Sequence, residues 1–322
     1  MEEGAWAKCD DSSQPLPGRF GIMLSSAFAM LELRQTTRLV RAAICAFLSS
    51  SSGILSGQVH FKMQTQEVVE ERLRKFGGSD FEREAKLKKL FLDSGCSPDE
   101  LKEETVKAKQ PPNLMCVLPG TTDQTILVGA HFDHVDLGDG VVDNWSGASL
   151  LPSLLFTVRQ EPRKHTYIFI GFMGEEHQLQ GSEFYVKHLP EEQRARIKAM
   201  INMDTLGLGP TEVWASHADP NLLGVFAAMA KALQIPVRGM NADGVGTTDS
   251  ESFAKFHIPR ITIHSLTGET LPVLHSSRDR LDKIQMSEYY DTYRLTAGYL
   301  VYLDGYLDRD EAHPAAASST TR

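Results

Sequence analysis

The sequence lacks any apolar run that reaches the roughly 20 residues needed for a transmembrane helix. It also lacks a basic stripe, because 42 Asp and Glu outnumber 33 Lys and Arg and give a formal net charge of -9. Nucleic-acid binding needs clustered Lys and Arg for phosphate contacts, so this balance argues against it. We therefore expect no stable membrane span in the mature domain and no nucleic-acid partner.

Cysteine is scarce, with 4 residues in the chain of 322. Cys9 and Cys45 lie near the N-terminus and would leave with a leader if the protein were exported. Cys96 and Cys116 would then remain as an even pair in an oxidising compartment. A Cys96–Cys116 disulfide and two free thiols are both compatible with this count.

Residues 1–57 lack the regular hydrophobic periodicity of the rest of the chain. Three arginines precede a fairly apolar stretch at 42–55 that also holds small residues, which is the outline of a secretory signal. This stretch lies far from the first residue, a distance that translation from Met23 or Met30 would shorten. We expect a leader or a disordered region here and an exported protein, either periplasmic or secreted. A disordered tail on a cytoplasmic protein is the alternative.

Neither an internal repeat nor a Pro/Ser-rich linker divides the rest of the chain. Apolar runs of strand length alternate with amphipathic helical segments, which predicts a three-layer α/β/α sandwich around a mixed, mostly parallel sheet. We assign residues 58–308 to this domain and 309–322 to a disordered tail. The predicted strands are Thr125–Ala130, Thr166–Met173, Ala199–Met203, Glu212–Ala215 and Arg260–His264. The predicted helices are Gln64–Phe76, Phe81–Leu92, Ser146–Arg159, Glu183–Lys198, Pro220–Gln234, Ser250–Phe256 and Ser287–Leu307.

Ionisable side chains stand where the predicted strands end, and the carboxyl ends of strands collect catalytic groups in open α/β sheets. His131 directly follows the first of these strands, and Asp133 projects to the same side two residues later. A carboxylate in that position can accept the imidazole N–H and fix the tautomer of a metal-bound His. Taken alone, a histidine at the rim of a sheet is explained as well by solvation.

Two adjacent carboxylates, Glu175 and Glu176, follow the strongest predicted strand. Such a pair is costly to hold close unless a cation or a proton is shared. A solvated acidic turn is the alternative, although the apolar Phe172-Met173 before the pair and Gly181-Ser182 after it indicate a packed loop. Asp204 ends the next predicted strand and adds a further acid.

Two further candidates lie in loops. Asp143 precedes a predicted helix, so it could simply cap that helix. His275 has an acid, Asp279, four residues on. With His131, Glu176 and Asp204, these residues make a set of two imidazoles and three carboxylates. This mixture suits a pair of Zn²⁺ ions, and the absence of cysteine from it points to catalysis rather than to a structural zinc finger.

Five ordered segments between about Gln64 and Leu307 resemble the zinc aminopeptidases of metallopeptidase family twenty-eight. They read AHFDH, VDNWSGA, GEEHQLQGSEFY, INMDTLG and HSSRDRLDKI. The resemblance implies a zinc exopeptidase fold of the phosphorylase/hydrolase-like type. It also implies two Zn²⁺ ions and a peptide substrate with a free N-terminus.

The resemblance assigns the metal ligands residue by residue. His131 and Asp204 would bind one zinc, and Glu176 and His275 would bind the other. Asp143 would bridge the two ions.

The resemblance also assigns supporting roles. Glu175 would be the general base of catalysis and Asp133 would support His131, a role that we extend to Asp279 for His275. A cis peptide bond is implied at Asp143–Asn144. Some family members carry a Tyr before the last His ligand, where this chain has Leu274, so another group or the zincs would stabilise the oxyanion.

The substrate pocket falls where the family motifs are loose, between Asp204 and His275. Trp214, Met240 and Phe253 are its apolar candidates, with core packing as the alternative for each. The segment 248–250 resembles one that lines the pocket, and we assign no chemistry to it.

Three functions remain open. The first is a di-zinc aminopeptidase that hydrolyses N-terminal peptide bonds with Glu175 as the base. The second is a glutaminyl cyclase, a related transferase with one zinc, which does not need both His131 and His275 as ligands. The third is a non-catalytic binding domain, which would gain nothing from keeping carboxylates that repel one another. We expect the aminopeptidase.

Overall fold

The computed structural model describes residues 61–312, apart from 242, 243 and 245 and apart from the side chains at 308 and 310–312. The predicted leader, together with Cys9 and Cys45, lies outside these residues. None of the described helices combines the length and the apolar content that crossing a bilayer requires.

A mixed sheet of eight strands forms the middle layer of the described residues. The strands are β1 (Leu101–Glu104), β2 (Asn113–Leu118), β3 (Thr125–His131), β4 (Thr166–Phe172), β5 (Ile197–Met203), β6 (Thr211–Trp214), β7 (Val237–Met240) and β8 (Arg260–His264). Their order across the sheet is β1-β2-β4-β3-β5-β8-β6-β7. The central strands β4, β3, β5 and β8 are parallel, whereas β1–β2, β2–β4 and β6–β8 are antiparallel pairs.

The parallel arrangement of the centre brings the carboxyl ends of β3, β4 and β5 to one edge of the sheet. The residues that follow these strands therefore meet, although they are far apart in sequence. Strand alternation divides the core between the two faces of the sheet. On β3, Ile126, Val128 and Ala130 join the larger apolar cluster, and Leu127 joins the smaller one.

Helices cover both faces and complete the predicted three-layer architecture. One face carries α1 (Gln66–Leu73), α2 (Asp80–Asp93), α3 (Ser146–Arg159), α6 (Pro220–Leu233) and α8 (Met286–Ala312), whose apolar residues enter the larger cluster. The other face carries α4 (Gln180–His188) and α7 (Ser250–Ala254), whose apolar residues enter the smaller one. The short α5 (Glu191–Ala195) leads into β5.

Two predicted helix boundaries are wrong. The segment predicted as one helix, Glu183–Lys198, is two helices and the start of β5, because Leu189 is extended (ψ 134°) ahead of Pro190. A residue before proline is pushed out of the helical region by its clash with the proline ring. The last helix runs to Ala312, into the segment 309–322 predicted to be a disordered tail. Its continuation past Leu307 is made of Arg, Asp, Glu and Ala ahead of the first proline, Pro314.

A disulfide joins Cys96 to Cys116, with a Cα–Cα distance of 6.1 Å. It ties the turn after α2 to β2, and it decides between the two alternatives that the cysteine count left open. The half-cystines are buried at 3% and 0% exposure, so the link belongs to the core.

Candidate active site

His131 ends β3 and is almost fully buried, with 1% exposure. Its Nδ1 lies 3.2 Å from the carbonyl oxygen of Asp133 and 3.5 Å from the Asp133 carboxylate. Its Nε2 faces the other way, 3.3 Å from Asp143 Oδ1 and 3.6 Å from Asp204 Oδ1. Asp133 thus sits behind the imidazole as predicted, and Nε2 is directed into the cluster.

Glu175 and Glu176 lie in the tight loop after β4, which turns at Gly174 with a φ of +86°. Their backbone amides both donate to the buried carboxylate of Asp133, at 3.2 Å each. Asp133 therefore has a second task that the sequence did not reveal, because it fixes the loop of the two glutamates as well as His131.

Asp143 lies in an irregular turn, Val141–Trp145, just before α3, where Asp143 and Asn144 have non-helical backbone angles; the peptide bond Asp143–Asn144 is cis, as predicted. The Asn144 side chain donates to the carbonyl of Met203 and accepts from the amide of Gly147, both at 2.9 Å. Asn144 thereby links the turn to the end of β5 and to the start of α3.

The predicted role of Asp279 is wrong in its target. Its carboxylate accepts hydrogen bonds from three successive backbone amides, those of Val141, Val142 and Asp143, at 2.8–3.0 Å. It therefore supports the turn that carries Asp143 rather than the imidazole of His275. The loop of Asp279 therefore contacts the turn of Asp143, and the spacing of residues in the sequence could not show this contact.

The remaining residues of the predicted set complete the cluster. His275 Nε2 lies 2.9 Å from Glu176 Oε2 and 3.2 Å from Asp143 Oδ2. Asp204, directly after β5, accepts hydrogen bonds from the hydroxyls of Thr205 (3.1 Å) and Thr248 (2.7 Å). Asp143 thus faces both histidines, one through each of its oxygens.

Crowded acids shift the protonation equilibria of the cluster. Burial, with Asp143 next in effect, raises the pKa of Glu176 to about 7, and burial raises that of Glu175 to about 10. The contact with Asp143 raises the pKa of His275 to about 9. For His131, burial opposes protonation, yet Glu175 and the other carboxylates raise its pKa well above the ordinary value. Without a cation, these carboxylates are held together by taking up protons.

The donor set of the cluster fits a metal. One oxygen or nitrogen each from His131, Asp143 and Glu176 lie within 4.8 Å of one another, and so do those from His131, Glu175 and Asp204. Among the described residues, His131 Nε2 and Glu176 Oε1 are buried without a hydrogen-bond partner. Buried polar atoms normally have partners, so these two atoms are available as ligands of a cation. Imidazole and carboxylate ligands match the preferences of Zn²⁺.

A cavity of about 120 Å³ opens beside the cluster. Its walls include Trp214 and Leu274, together with Glu175, Asp204 and His275. Of the three apolar pocket candidates, Trp214 is therefore placed at the cavity. Phe253 is fully buried in the smaller core cluster, and Met240 is not among the residues that line the cavity.

Three buried residues near the site were not identified as such from the sequence. Arg83 lies in α2 and is fully buried. Asp249 is fully buried, and burial raises its pKa to about 7. His264 lines the cavity, and burial lowers its pKa to about 4. His264 ends the predicted strand Arg260–His264, and Asp249 lies in the segment 248–250 that resembles a pocket lining, so both had a signal in the sequence. Arg83 had none.

These features define an α/β protein with a candidate metal centre at the carboxyl edge of its sheet. A family model described as Peptidase family M28 matches residues 113–300, and the chain belongs to that family. The resemblance inferred from the five motifs is thereby confirmed at the level of the family.

Leupeptin-inactivating enzyme 1 of Streptomyces exfoliatus is 32% identical over 152 residues, which are 46% of this chain and 34% of that protein. Other curated relatives are named leucine aminopeptidases. The chain spans about a third to a little over half of the length of these relatives.

Solved structures show the same fold at low identity. The LapA aminopeptidase of Legionella pneumophila superposes with a TM-score of 0.61 and 21% identity, covering 79% of each chain. A glutaminyl cyclase of an Acidobacteriales bacterium superposes with a TM-score of 0.65 and 18% identity, covering 77% of this chain and 98% of that one. The fold is therefore shared by a peptidase and by a cyclase, and it does not choose between them.

Proposed function

We propose that the protein is a zinc-dependent exopeptidase, an aminopeptidase that hydrolyses N-terminal peptide bonds. One observation carries this proposal: Asp143 lies between His131 and His275, with one oxygen 3.3 Å from the first and the other 3.2 Å from the second. A carboxylate shared by two sets of ligands is what a pair of metal ions requires. The names of the curated relatives support the same activity.

Two zinc ions would be held by the set identified above. His131 and Asp204 would hold one ion, Glu176 and His275 the other, and Asp143 would contact both. When bound, zinc supplies a water of lowered pKa and a positive charge for the developing oxyanion. The carboxylates that now share protons would release them as ligands.

Glu175 is the proposed general base. It lines the cavity, its side chain is 11% exposed, and its Oε2 lies 4.0 Å from His131 Nε2. With zinc bound, the positive charge beside Glu175 would lower its pKa and favour the ionised form. The carboxylate could then take a proton from the attacking water and return it to the leaving amine. Its backbone amide is fixed by Asp133, so its position does not depend on the substrate.

Selectivity for a free N-terminus follows from the charge of the cavity. Carboxylates of Glu175 and Asp204 lie in its wall, where they can hold a substrate ammonium group. The cavity of about 120 Å³ would then receive the side chain of the first residue, with Trp214 and Leu274 as apolar walls. An acylated N-terminus lacks the charge that this arrangement binds.

The proposal is tested with a Glu175→Gln variant, with Glu192→Gln on the exposed helix α5 as the matched control. We expect purified wild-type protein to hold about two zincs and to cleave amino-acid p-nitroanilides. Glu175→Gln should keep the zinc and lose on the order of 10²–10⁴-fold in kcat, the usual contribution of a general base. Near-normal turnover by this variant would refute the mechanism.

Glutaminyl cyclase activity is the second candidate, because that class shares the fold. The same preparation distinguishes the two on a peptide with N-terminal Gln. An aminopeptidase releases free Gln and the shortened peptide, whereas a cyclase releases ammonia and leaves the peptide at full length. A zinc content of one with ammonia release would favour the cyclase, and zinc without either product would favour a binding domain.

We also propose that the protein is exported. The Cys96–Cys116 disulfide supports this, because structural disulfides persist chiefly in oxidising compartments. Fractionation of cells that express the full chain, with N-terminal sequencing of the product, tests the proposal. Export predicts a product that begins after the apolar stretch at 42–55, while an uncleaved cytoplasmic product would overturn it.

A further inference from the structure

Arg83, in α2, is a fully buried arginine held by backbone carbonyls. Its Nη1 donates to the carbonyl of Phe132 at 3.1 Å, and its Nη2 donates to those of Asp139 (2.7 Å) and Gly140 (3.0 Å). Among the described residues, no carboxylate lies within ion-pair distance of the guanidinium. These three hydrogen bonds all go to carbonyls of one loop, between residues 132 and 140.

This loop is the connection between two proposed metal ligands. Phe132 directly follows His131, and Gly140 comes three residues before Asp143. One planar guanidinium thus binds carbonyl groups near both ends of the loop. The rigid fork of arginine permits this geometry, whereas the single ammonium group of lysine does not. Asp279 holds the amides of the adjoining turn, 141–143, so the two side chains clamp the segment that presents Asp143.

The two N-terminal helices, α1 and α2, both contact the turn that contains Asp143. The guanidinium lies over the ring of Trp145, 5.8 Å from its centroid. The Trp145 indole N–H donates to the backbone carbonyl of Arg72, in α1, at 3.1 Å. Both N-terminal helices therefore contact the residue that closes the turn of Asp143.

We propose that Arg83 is a positioning residue for the metal ligands, and that α2, the helix that carries it, is a working part of the site. The helices span residues 66–93, whereas the family match begins at residue 113. The segment that the family model matches contains Asp279 and lacks Arg83, so it holds only one of the two side chains that clamp the loop before Asp143. This inference rests on the proposed zinc site.

An electrostatic role and a positioning role of Arg83 predict opposite changes in zinc affinity when its charge is removed. Its positive charge acts most strongly on Asp80, and after that on Asp279, Asp133 and Asp143. A nearby cation repels Zn²⁺ by Coulomb's law, so a purely electrostatic role would make the neutral variant bind zinc more tightly. If Arg83 acts by holding the loop, the neutral variant binds zinc more weakly, and so does Arg83→Lys, which keeps the charge without the fork.

The experiment compares Arg83→Gln and Arg83→Lys with Arg72→Gln in the full chain. Arg72 is the matched control because it is buried in the neighbouring helix and donates from Nη1 to Ser153 Oγ (2.8 Å), away from the ligand loop. Zinc affinity is measured by competition with a chromophoric chelator, and the Tm of each zinc-free protein is measured alongside kcat and KM.

We expect both Arg83 variants to lose about 10–100-fold in zinc affinity, the usual effect of removing a partner of metal ligands. Their kcat should fall more than KM rises, and Arg72→Gln should lower the zinc-free Tm without changing zinc affinity. Wild-type affinity in the Arg83 variants, tighter binding by Arg83→Gln, or an equal loss in Arg72→Gln would overturn the inference. So would failure of both Arg83 variants to fold while Arg72→Gln folds. If wild-type protein binds no zinc, the proposed function itself fails, which is a separate outcome.

Discussion

At the scale of single residues, the site is held from behind by carboxylates that accept backbone amides. Asp133 takes the amides of Glu175 and Glu176, and Asp279 takes those of the turn 141–143. Hydrogen bonds to a charged acceptor are about twice as strong as neutral ones, and each carboxylate accepts several. The ligands are thus fixed through their main chain, which leaves their side chains free to meet a cation.

Replacing Asp133 by Asn tests this support. An amide side chain would turn one N–H donor toward a backbone amide that also donates, so one of the two hydrogen bonds is lost and a donor is left unpaired. We expect zinc affinity and kcat/KM to fall about 10–100-fold, measured by chelator competition and by p-nitroanilide turnover. Asp136→Asn, at an exposed position of the following loop, is the control and should match wild type. Equal values for the two variants would contradict the proposed role.

The proposed ligands could be found in the sequence because each stands in a recognisable position, directly after an apolar strand or inside a family motif. Their supports could not all be found. Asp279 reaches amides that are 136 to 138 residues away, and Arg83 reaches carbonyls 49 to 57 residues away. Such pairings follow from how loops and helices pack, and no local pattern encodes them.

At the scale of elements, the strands that the sequence revealed are the buried ones. Continuous apolar runs mark β3, β4 and β5, because both of their faces are covered. The edge strands β1 (LKEE) and β7 (VRGM) were missed, since their exposed and charged residues carry no apolar run. The antiparallel β2 (NLMCVL) was missed as well, although it is buried and directly follows Pro112.

The start of α3 depends on one glycine. A Cβ at Gly147 would lie 2.6 Å from both Asn144 Oδ1 and the carbonyl oxygen of Met203. We expect Gly147→Ala to displace Asn144, to lower the Tm and to weaken zinc binding, since Asn144 follows Asp143, the proposed bridging ligand. Gly224→Ala, in α6 with nothing within 4 Å of the added atom, is the control. It should stabilise the protein slightly, by about 0.5–1 kcal/mol. A Gly147→Ala protein with wild-type Tm and zinc affinity would show that the contact is not restrictive.

The Cys96–Cys116 disulfide ties the N-terminal helices to the sheet, with 20 residues of sequence separation. Closing a loop of that size reduces the freedom of the unfolded chain by about 3 kcal/mol in the chain-entropy description. We expect the Cys96→Ala/Cys116→Ala double variant to lose about 2–4 kcal/mol of unfolding free energy, measured by denaturant titration. Wild type under reducing conditions should lose a similar amount. An unchanged midpoint in both would contradict a stabilising role.

At the scale of the whole molecule, the sheet explains both the position of the site and the repulsion between its acids. Parallel strands deliver their carboxyl ends to one edge, so the fold concentrates acids there that repel one another. The strands β3, β4 and β5 each end next to a proposed ligand, and the loops of Asp143 and His275 close over that edge. A metal-free protein must therefore keep protons on acids that would be ionised in the unfolded chain, which makes its stability dependent on pH.

The sign of that dependence follows from the pKa values. Glu175 and Glu176 have folded pKa values of about 10 and about 7, above the ordinary 4.5, and His275 has one of about 9, above 6.5. Groups whose pKa is raised by folding stabilise the fold fully at low pH and lose that contribution as pH rises through the folded value. The free energy of unfolding of the zinc-free protein should therefore fall between about pH 5 and 9.

Zinc should reverse this trend, because ligands bind the metal after they release their protons. We expect the rise in Tm on adding zinc to be small at pH 5 and to grow steadily toward pH 8, measured by thermal unfolding with zinc and with a chelator. Glu176→Gln is the matched control, since its amide cannot titrate. It should reduce the pH dependence of the zinc-free unfolding free energy between about pH 4.5 and 7, where Glu176 contributes. The dependence near pH 9, to which Glu175 and His275 contribute, should remain. If the free energy of unfolding of the zinc-free protein rose from pH 5 to 8, the raised pKa values of the buried acids would not govern its stability.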